Sequence, residues 1–407
     1  MENKLDSRIT WLIAFCLGAF SCVTRLSIAV GSILQGIAVL CGVILLWRQR
    51  NSVQLNKETK GYMAAAGIFF LCTLPSALFA GHAEEGLGQF LDMWVWRYMI
   101  FLLIVLFVRK RTYLTNMLFA FLLFFGADSL LTFIQVYILH LTDRGWGFGS
   151  NMLAIAGIMC MVLPLCFVVL FDQRFDRKLK YASVWAMLSI FVGLLSNKSR
   201  AAWLTCLITT LVVTGKYIRD NIKYLAVVGA IMIGFCGFFF ANPSYISRFK
   251  SVTNTTTNTS NTDRLQMWQG CLTMYKNHPV IGVGLGRFEP EYKEYAKSHP
   301  EIVRTYSHAH NNFMHLLAET GTIGITGYLI FIFYSLVHSL RSWLKSKSPY
   351  DLLIFTTILS FMCLFGQVEY IIDNSSAVRL FWFLFAIMLQ MKTIEQEKNQ
   401  KEESGRS

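Results

Sequence analysis

The densest collection of reactive side chains in this chain lies in SHAHNNFMHLLAETGTIGITGY, residues Ser307–Tyr328. His308, His310, His315, Asn311 and Glu319 lead directly into a glycine-punctuated apolar segment, so polar groups capable of chemistry sit at a membrane boundary. Imidazole and carboxylate are common metal ligands. No Cys accompanies them, however, and the i,i+2 spacing would put His308 and His310 on different faces of a helical turn, which argues against a metal. The remaining chemistry is that of a general base or hydroxyl-orienting group, because histidine titrates near neutrality and both accepts and donates protons. His310, with Asn311 beside it and His308 in support, is the best-placed candidate. The competing readings are a structural histidine and a helix-capping asparagine. Gly321, Gly324 and Gly327 follow at three-residue spacing, which predicts close approach of another helix to the start of this span.

Isolated cations at a membrane boundary are costly unless paired or used. Arg200 lies in SNKSRAAWL (196–204), a short polar break between two apolar runs, with Lys198 beside it. Snorkelling to the interface is the bland alternative. Arg264, in DRLQMW (263–268), is expected in the first turn of a helix capped at Thr262-Asp263. A cation is disfavoured there, and an anionic ligand such as phosphate would relieve the conflict. Arg144, in the glycine-rich DRGWGFGSN (143–151), is a candidate for shaping the same pocket or for interface anchoring. Arg97, between aromatics in WVWRY, reads as an interfacial anchor.

These groups must be positioned by membrane helices. With 54% hydrophobic and 15% charged residues, 33 Phe and a mean hydropathy of +0.46, the chain has more apolar side chains than one soluble core needs, and it reads as an all-α polytopic membrane protein. About 12 transmembrane helices are expected, with cores near 9–23, 28–47, 61–80, 93–108, 114–136, 151–171, 181–195, 201–215, 224–241, 320–340, 351–368 and 378–391. If the N-terminus is cytoplasmic, inside segments carry 23 Lys and Arg, whereas the short outside loops hold only Arg25, Arg144, Lys198 and Arg200. That asymmetry accounts for most of the +13 net charge without nucleic acid and predicts both termini inside. The organisation expected is nine spans over 1–241, a long outer loop over 242–319, three spans over 320–391 and a cytoplasmic tail over 392–407. In the long loop a low-complexity opening (251–262) with sequons at Asn254 and Asn258 gives way to an amphipathic helix. That helix presents Leu265, Trp268, Leu272 and Tyr275 to the membrane or the bundle. A turn with Gly282, Gly284 and Gly286 and a second polar helix near 289–298 follow. Nine of the ten cysteines fall in apolar runs, and Cys271 in the loop has no visible disulfide partner. No removable signal peptide is expected.

Four segments together resemble the O-antigen ligase and O-antigen polymerase superfamily. The pattern His310-Asn311, nine residues, Gly321-Thr-Ile-Gly324 is similar to its signature, and HPVIGVGLGRF (278–288) resembles the glycine segment before it, with His278 where Asn is usual. SRAAWL (199–204), with Ala201 in place of Gly, and DRLQMW resemble the two arginine segments, while 145–151 fits a weaker block. The resemblance implies a membrane-embedded, GT-C-like glycosyltransferase that uses no cofactor, no metal and no nucleotide sugar. It implies transfer of a glycan from undecaprenyl diphosphate to the lipid A-core oligosaccharide, with inversion, at the periplasmic face of the bacterial inner membrane. His310 would then engage the acceptor hydroxyl, Arg200 and Arg264 would hold the diphosphate, and Lys198, Arg144, His308, Asn311, Gly321 and Gly324 would support them. The partners implied are the lipid-linked glycan, the lipid A-core acceptor and membrane lipids. Polymerase and protein O-oligosaccharyltransferase activity are the alternatives within the superfamily. A transporter is the alternative outside it, for which Asp128 is the one clear mid-span acid and no half-repeat is evident.

Overall fold

The computed structural model describes residues 4–48, 55–220 and 259–404 throughout and parts of 222–250. Eleven helices among these are long and apolar enough to cross a membrane. We number the spans α1 (Lys4–Val23), α2 (Ile28–Arg48), α3 (Lys57–Phe79), α4 (Ala83–Phe107), α5 (Arg111–Ile138), α6 (Met152–Phe171), α7 (Arg177–Asn197) and α8 (Arg200–Asp220). The long connection carries α9 (Thr259–Asn277) and α10 (Phe288–Lys297). The bundle closes with α11 (Asn312–Ser346), α12 (Pro349–Gln367) and α13 (Ser375–Ser404). The chain is thus an all-α, multi-pass membrane protein. The span expected at 224–241, the sequons Asn254 and Asn258, and Cys236 fall largely or wholly outside the described residues.

Burial follows position in the bundle rather than apolar content, because lipid can cover an apolar helix at the edge as well as protein covers one at the centre. Helix α6, apolar on every side, and α13 are the most enclosed, whereas α2 keeps Ile33, Leu40 and Trp47 exposed on its outer face, as a lipid-facing helix does. Polar punctuation ends the helices where the sequence reading expects it. The α1–α2 break falls at Thr24–Ser27, and Lys198 takes the left-handed conformation (φ +55°) between α7 and α8. Asn151 caps α6 by accepting from Leu153 N and Ala154 N.

Arg25 and Asp128 form a buried pair (Nε to Oδ2 3.0 Å), and both hold the 143–151 loop. Arg25 Nη2 donates to Trp146 O, while Asp128 accepts from Phe148 N. The mid-span acid that favoured a transporter is therefore neutralised by a structural partner. Arg97 departs from its expected role as interface anchor. It is buried, paired with Asp92, and its Nη1 donates to the carbonyls of Ile372 (3.1 Å) and Asp373 (2.7 Å). Desolvating the guanidinium is tolerable because carbonyls and a carboxylate meet it. The consequence is that the 368–374 loop is tied down.

Two expectations for the outer loop are revised. Helix α9 is already formed at Thr259, so Thr262 and Asp263 lie within the helix rather than capping it, and Arg264 sits beyond its first turn. The face buried is Met267, Gly270, Cys271 and Met274, which packs on Phe288, Tyr292 and Ala318, while Leu265 and Leu272 remain exposed. Periodicity found the helix, but two apolar stripes competed, and the small residues Gly270 and Cys271 marked the side of close packing.

Helix α11 breaks at Gly321 (φ +61°, ψ −161°), and the 279–284 turn docks into the break. Val283 N and Gly284 N donate to Ala318 O and Glu319 O, while Thr322 N and Ile323 N donate to Pro279 O and Val280 O. The carbonyls and amides freed by the break are thereby satisfied by the turn. Gly321 thus seats a loop rather than a second helix, and a Cβ on Gly324 would meet its own neighbour Thr320. Only Gly327 makes the expected helix approach, against Phe69 and Cys72 of α3. Gly282, Gly284 and Gly286 all have positive φ, as the turn reading requires. A Cβ on Gly282 would lie 2.3 Å from Glu319 C and O, whereas one on Gly286 would find nothing nearer than 3.5 Å. Gly282→Ala is therefore expected to destabilise the outer loop by about 2–5 kcal/mol, and Gly286→Ala by only ~1–2 kcal/mol. Thermal unfolding of the two variants in detergent checks the difference.

Candidate active site

The turn that carries the histidines is bent rather than helical, which removes the face argument used against their cooperation. His310 itself takes a left-handed conformation (φ +47°) just before Asn311, whose side chain caps α11 by accepting from Phe313 N (2.8 Å) and Met314 N (3.0 Å). Its Nδ2 donates to Gln367 O (2.9 Å). Asn311 is accordingly a capping and bridging residue, the structural alternative in the sequence reading. A positive φ in a histidine is uncommon and persists only when its surroundings hold it.

What holds it is Glu369, in the α12–α13 connection. Its carboxylate meets both imidazoles: His310 Nδ1 lies 2.7 Å from Oε2 and His308 Nε2 lies 2.9 Å from Oε1. Glu369 is buried, and burial alone would raise its pKa. The hydrogen bonds and charges of His308 and His310 outweigh that and bring it down to about 2. Burial likewise works against a charged His308, but the bond to Glu369 wins and its pKa is raised. With a carboxylate accepting at Nδ1, the neutral form of His310 is the tautomer with its proton there and its lone pair on Nε2, that of a base oriented by an acid.

His315 and Glu319 belong to a different unit. His315 Nδ1 accepts from Ala309 N (3.3 Å), Nε2 lies 3.3 Å from Glu319 Oε1, and the ring stacks on Tyr370 at 3.6 Å. Glu319 Oε1 also accepts from Phe288 N (2.9 Å). This pair fastens the 288 turn to α11, and the cluster of His308, His310, His315 and Glu319 weighed as a metal site is not formed. Among the described residues, the three ligating groups that converge are His308, His310 and Glu369.

His310 opens onto a cavity of about 380 Å³ at the end of the bundle that carries the long connection. The same cavity is lined by Arg144, Lys198, Arg200 and Arg264, so the cations selected from three separate segments are brought together with the histidine. The three arginines have local anchors: Arg144 Nε donates to Asn197 O (2.9 Å), Arg200 Nη2 to Asn261 Oδ1 (3.2 Å) and Arg264 Nη2 to Val368 O (3.0 Å). Burial lowers the Arg264 pKa, and the charges of Glu369 and Tyr306 counter it. Arg264 Nε is a buried donor with no acceptor among the described residues. His308 is joined to His310 through Glu369, whereas Gly321 and Gly324 lie away from the cavity, in and beside the seat for the 279–284 turn.

Sequence reasoning missed Glu369, Arg304 and Tyr306. Arg304 and Tyr306 line the cavity, and the Tyr306 hydroxyl donates to Asp263. Glu369 had a usable signal: span parity places it at the same end of the bundle as His310, and it is an acid at a membrane boundary. Only cations were sought there. Residues 182–329 match the family model described as O-antigen ligase, so the chain carries that family's domain over the stretch holding Arg200, Arg264 and His310. Arg144 and Glu369 lie outside the matched stretch. A comparison with curated proteins gave no match.

Proposed function

We propose that this O-antigen ligase family chain transfers a glycan from undecaprenyl diphosphate to the lipid A-core oligosaccharide. The family supports the coarser statement, a membrane glycosyltransferase of the ligase and polymerase type acting on lipid-linked glycan. The observation that carries the finer reading is one cavity lined by His310 and by arginines from three separated segments.

The parts suit a single displacement. The acceptor hydroxyl gives its proton to His310 Nε2 as its oxygen bonds to the anomeric carbon, and the bond from that carbon to the diphosphate oxygen breaks. Negative charge gathers on the departing diphosphate, and guanidinium groups preorganised at that position lower the barrier. Arg264 and Arg200 are assigned to it. Diphosphate oxygens would also satisfy the buried Arg264 Nε, a donor otherwise costly to leave unpaired. In this reading the cavity faces the periplasm and both termini are cytoplasmic, in line with the Lys and Arg asymmetry.

The direct test is the mass of the product when purified protein receives lipid-linked glycan and rough lipopolysaccharide. Glycosylated lipopolysaccharide is expected. A lengthened lipid-linked glycan instead would make the protein a polymerase, and absence of any transfer would overturn the reading. Arg264→Lys is expected to lose about 10–100-fold in transfer rate, because a point charge does not reproduce the planar fork. Steady-state rates at saturating acceptor measure it.

A further inference from the structure

We propose that His308, His310 and Glu369 form a binding site for a divalent transition-metal ion of the zinc class, and that its occupation silences the base. The silencing rests on the proposed role of His310, whereas the binding does not.

The donor atoms are already assembled. One nitrogen from each histidine and a carboxylate oxygen lie within 4.8 Å of one another, and the two ring centroids are 4.3 Å apart. Zinc bonds to nitrogen and oxygen at ~2.0–2.2 Å, which puts neighbouring ligands of a tetrahedron roughly 3.3 Å apart. The two contacts to Glu369, 2.9 and 2.7 Å, run to its two different oxygens, so the carboxylate can offer either or both to an ion, and the imidazoles need only close on each other by about an ångström or so. Two imidazoles with one carboxylate is a donor set that suits zinc and its neighbours, whereas magnesium prefers an all-oxygen shell.

The scaffold behind the ligands is fixed from both sides. Asn311, next to His310, is bonded to Gln367 O and to the first turn of α11, while Arg97 holds the carbonyls of Ile372 and Asp373 beyond Glu369. His308 and His310 are partly exposed, 25% and 19% for their side chains, and His310 lines the cavity, so an ion has access to the pair. The Arg264 guanidinium bonds to Val368 O, one residue from Glu369, and opposes a second cation, which sets the expected affinity in the micromolar range rather than tighter.

Occupation has a specific chemical consequence. A metal ion on His310 Nδ1 takes the position of the proton that Glu369 now accepts. The neutral imidazole must then carry its proton on Nε2, and the lone pair that would receive the acceptor's proton is gone.

The test uses tag-free, full-length protein in detergent, stripped with chelator. Calorimetric titration with ZnCl2 is expected to give one ion per chain, and Co2+ in its place is expected to produce the visible absorption of a four-coordinate site. His308→Ala should weaken Zn2+ binding about tenfold or more, with His308→Gln as the second variant should the first fail to fold. Transfer should fall on adding Zn2+ and return with chelator, and Mg2+ should do neither. No saturable binding, or equal binding in the folded His308 variant, overturns the site. Binding that leaves transfer unchanged overturns the silencing alone. If stripped protein shows no transfer at all, the ligase reading fails while calorimetry still decides the site.

Discussion

His310→Ala is expected to lower glycan transfer by ~10²–10⁴-fold, the range in which a positioned general base contributes. The residue lines the cavity, its Nδ1 is bound by Glu369, and no second imidazole lines the same cavity among the described residues. The conformation at position 310 complicates a simple Ala test, because φ +47° is adopted more readily by histidine and asparagine than by alanine. His310→Asn tests the chemistry separately, since asparagine tolerates the left-handed region and its amide is not a base at neutral pH. The Asn variant should insert and unfold much as the parent does, and both variants should lose transfer from purified lipid-linked glycan. Retained activity in the Asn variant would remove His310 from the reaction.

Glu369→Gln is expected to be the next most damaging change, with a loss of about 10²–10³-fold in turnover and little change in acceptor KM. An amide keeps the shape but cannot accept from both imidazoles with full charge, so His310 is freed to take the wrong tautomer, as in other dyads whose acid is amidated. Glu369→Asp, which restores the charge, should recover part of the rate. A stability signature accompanies this. The Glu369 pKa is depressed to about 2 from an ordinary 4.5, so its contribution is present above pH 4.5 and fades as pH falls from there towards 2. The melting temperature of the Gln variant should therefore drop less steeply than the parent's over that interval. Parallel curves would mean the carboxylate is not clamped as described.

Much of this molecule was legible before folding because its main signals are local. Apolar runs of membrane length set the spans, and polar breaks such as the one at Lys198 set their ends. Cations and histidines in places where desolvation is costly marked Arg144, Lys198, Arg200, Arg264 and His310 one by one. Each of those judgements needs only a residue and its immediate neighbours.

Where local signals were ambiguous, the chain alone pointed the wrong way. The i,i+2 spacing of His308 and His310 argued for separation only on the assumption of a helix. Arg97 looked like an interface residue because its flanks are aromatic, yet its acceptors come from the carbonyls of residues 372–373. Gly321 looked like a helix-packing position, yet its positive φ opens the backbone for the 279–284 turn. In each case the deciding partner lies far away in sequence.

The sequence by itself therefore determined the class of structure, and it singled out Arg144, Lys198, Arg200, Arg264 and His310, which the fold gathers around one cavity. Membrane insertion and charge placement act on segments one at a time, and so they can be read from segments. Only the tertiary structure decided that Glu369 joins His308 to His310, that five cationic side chains share one cavity, and which stripe of α9 packs inward. Those outcomes depend on distances between groups up to 224 positions apart, from Arg144 to Val368. Such distances are set by the packing of the whole bundle, and no local preference encodes them.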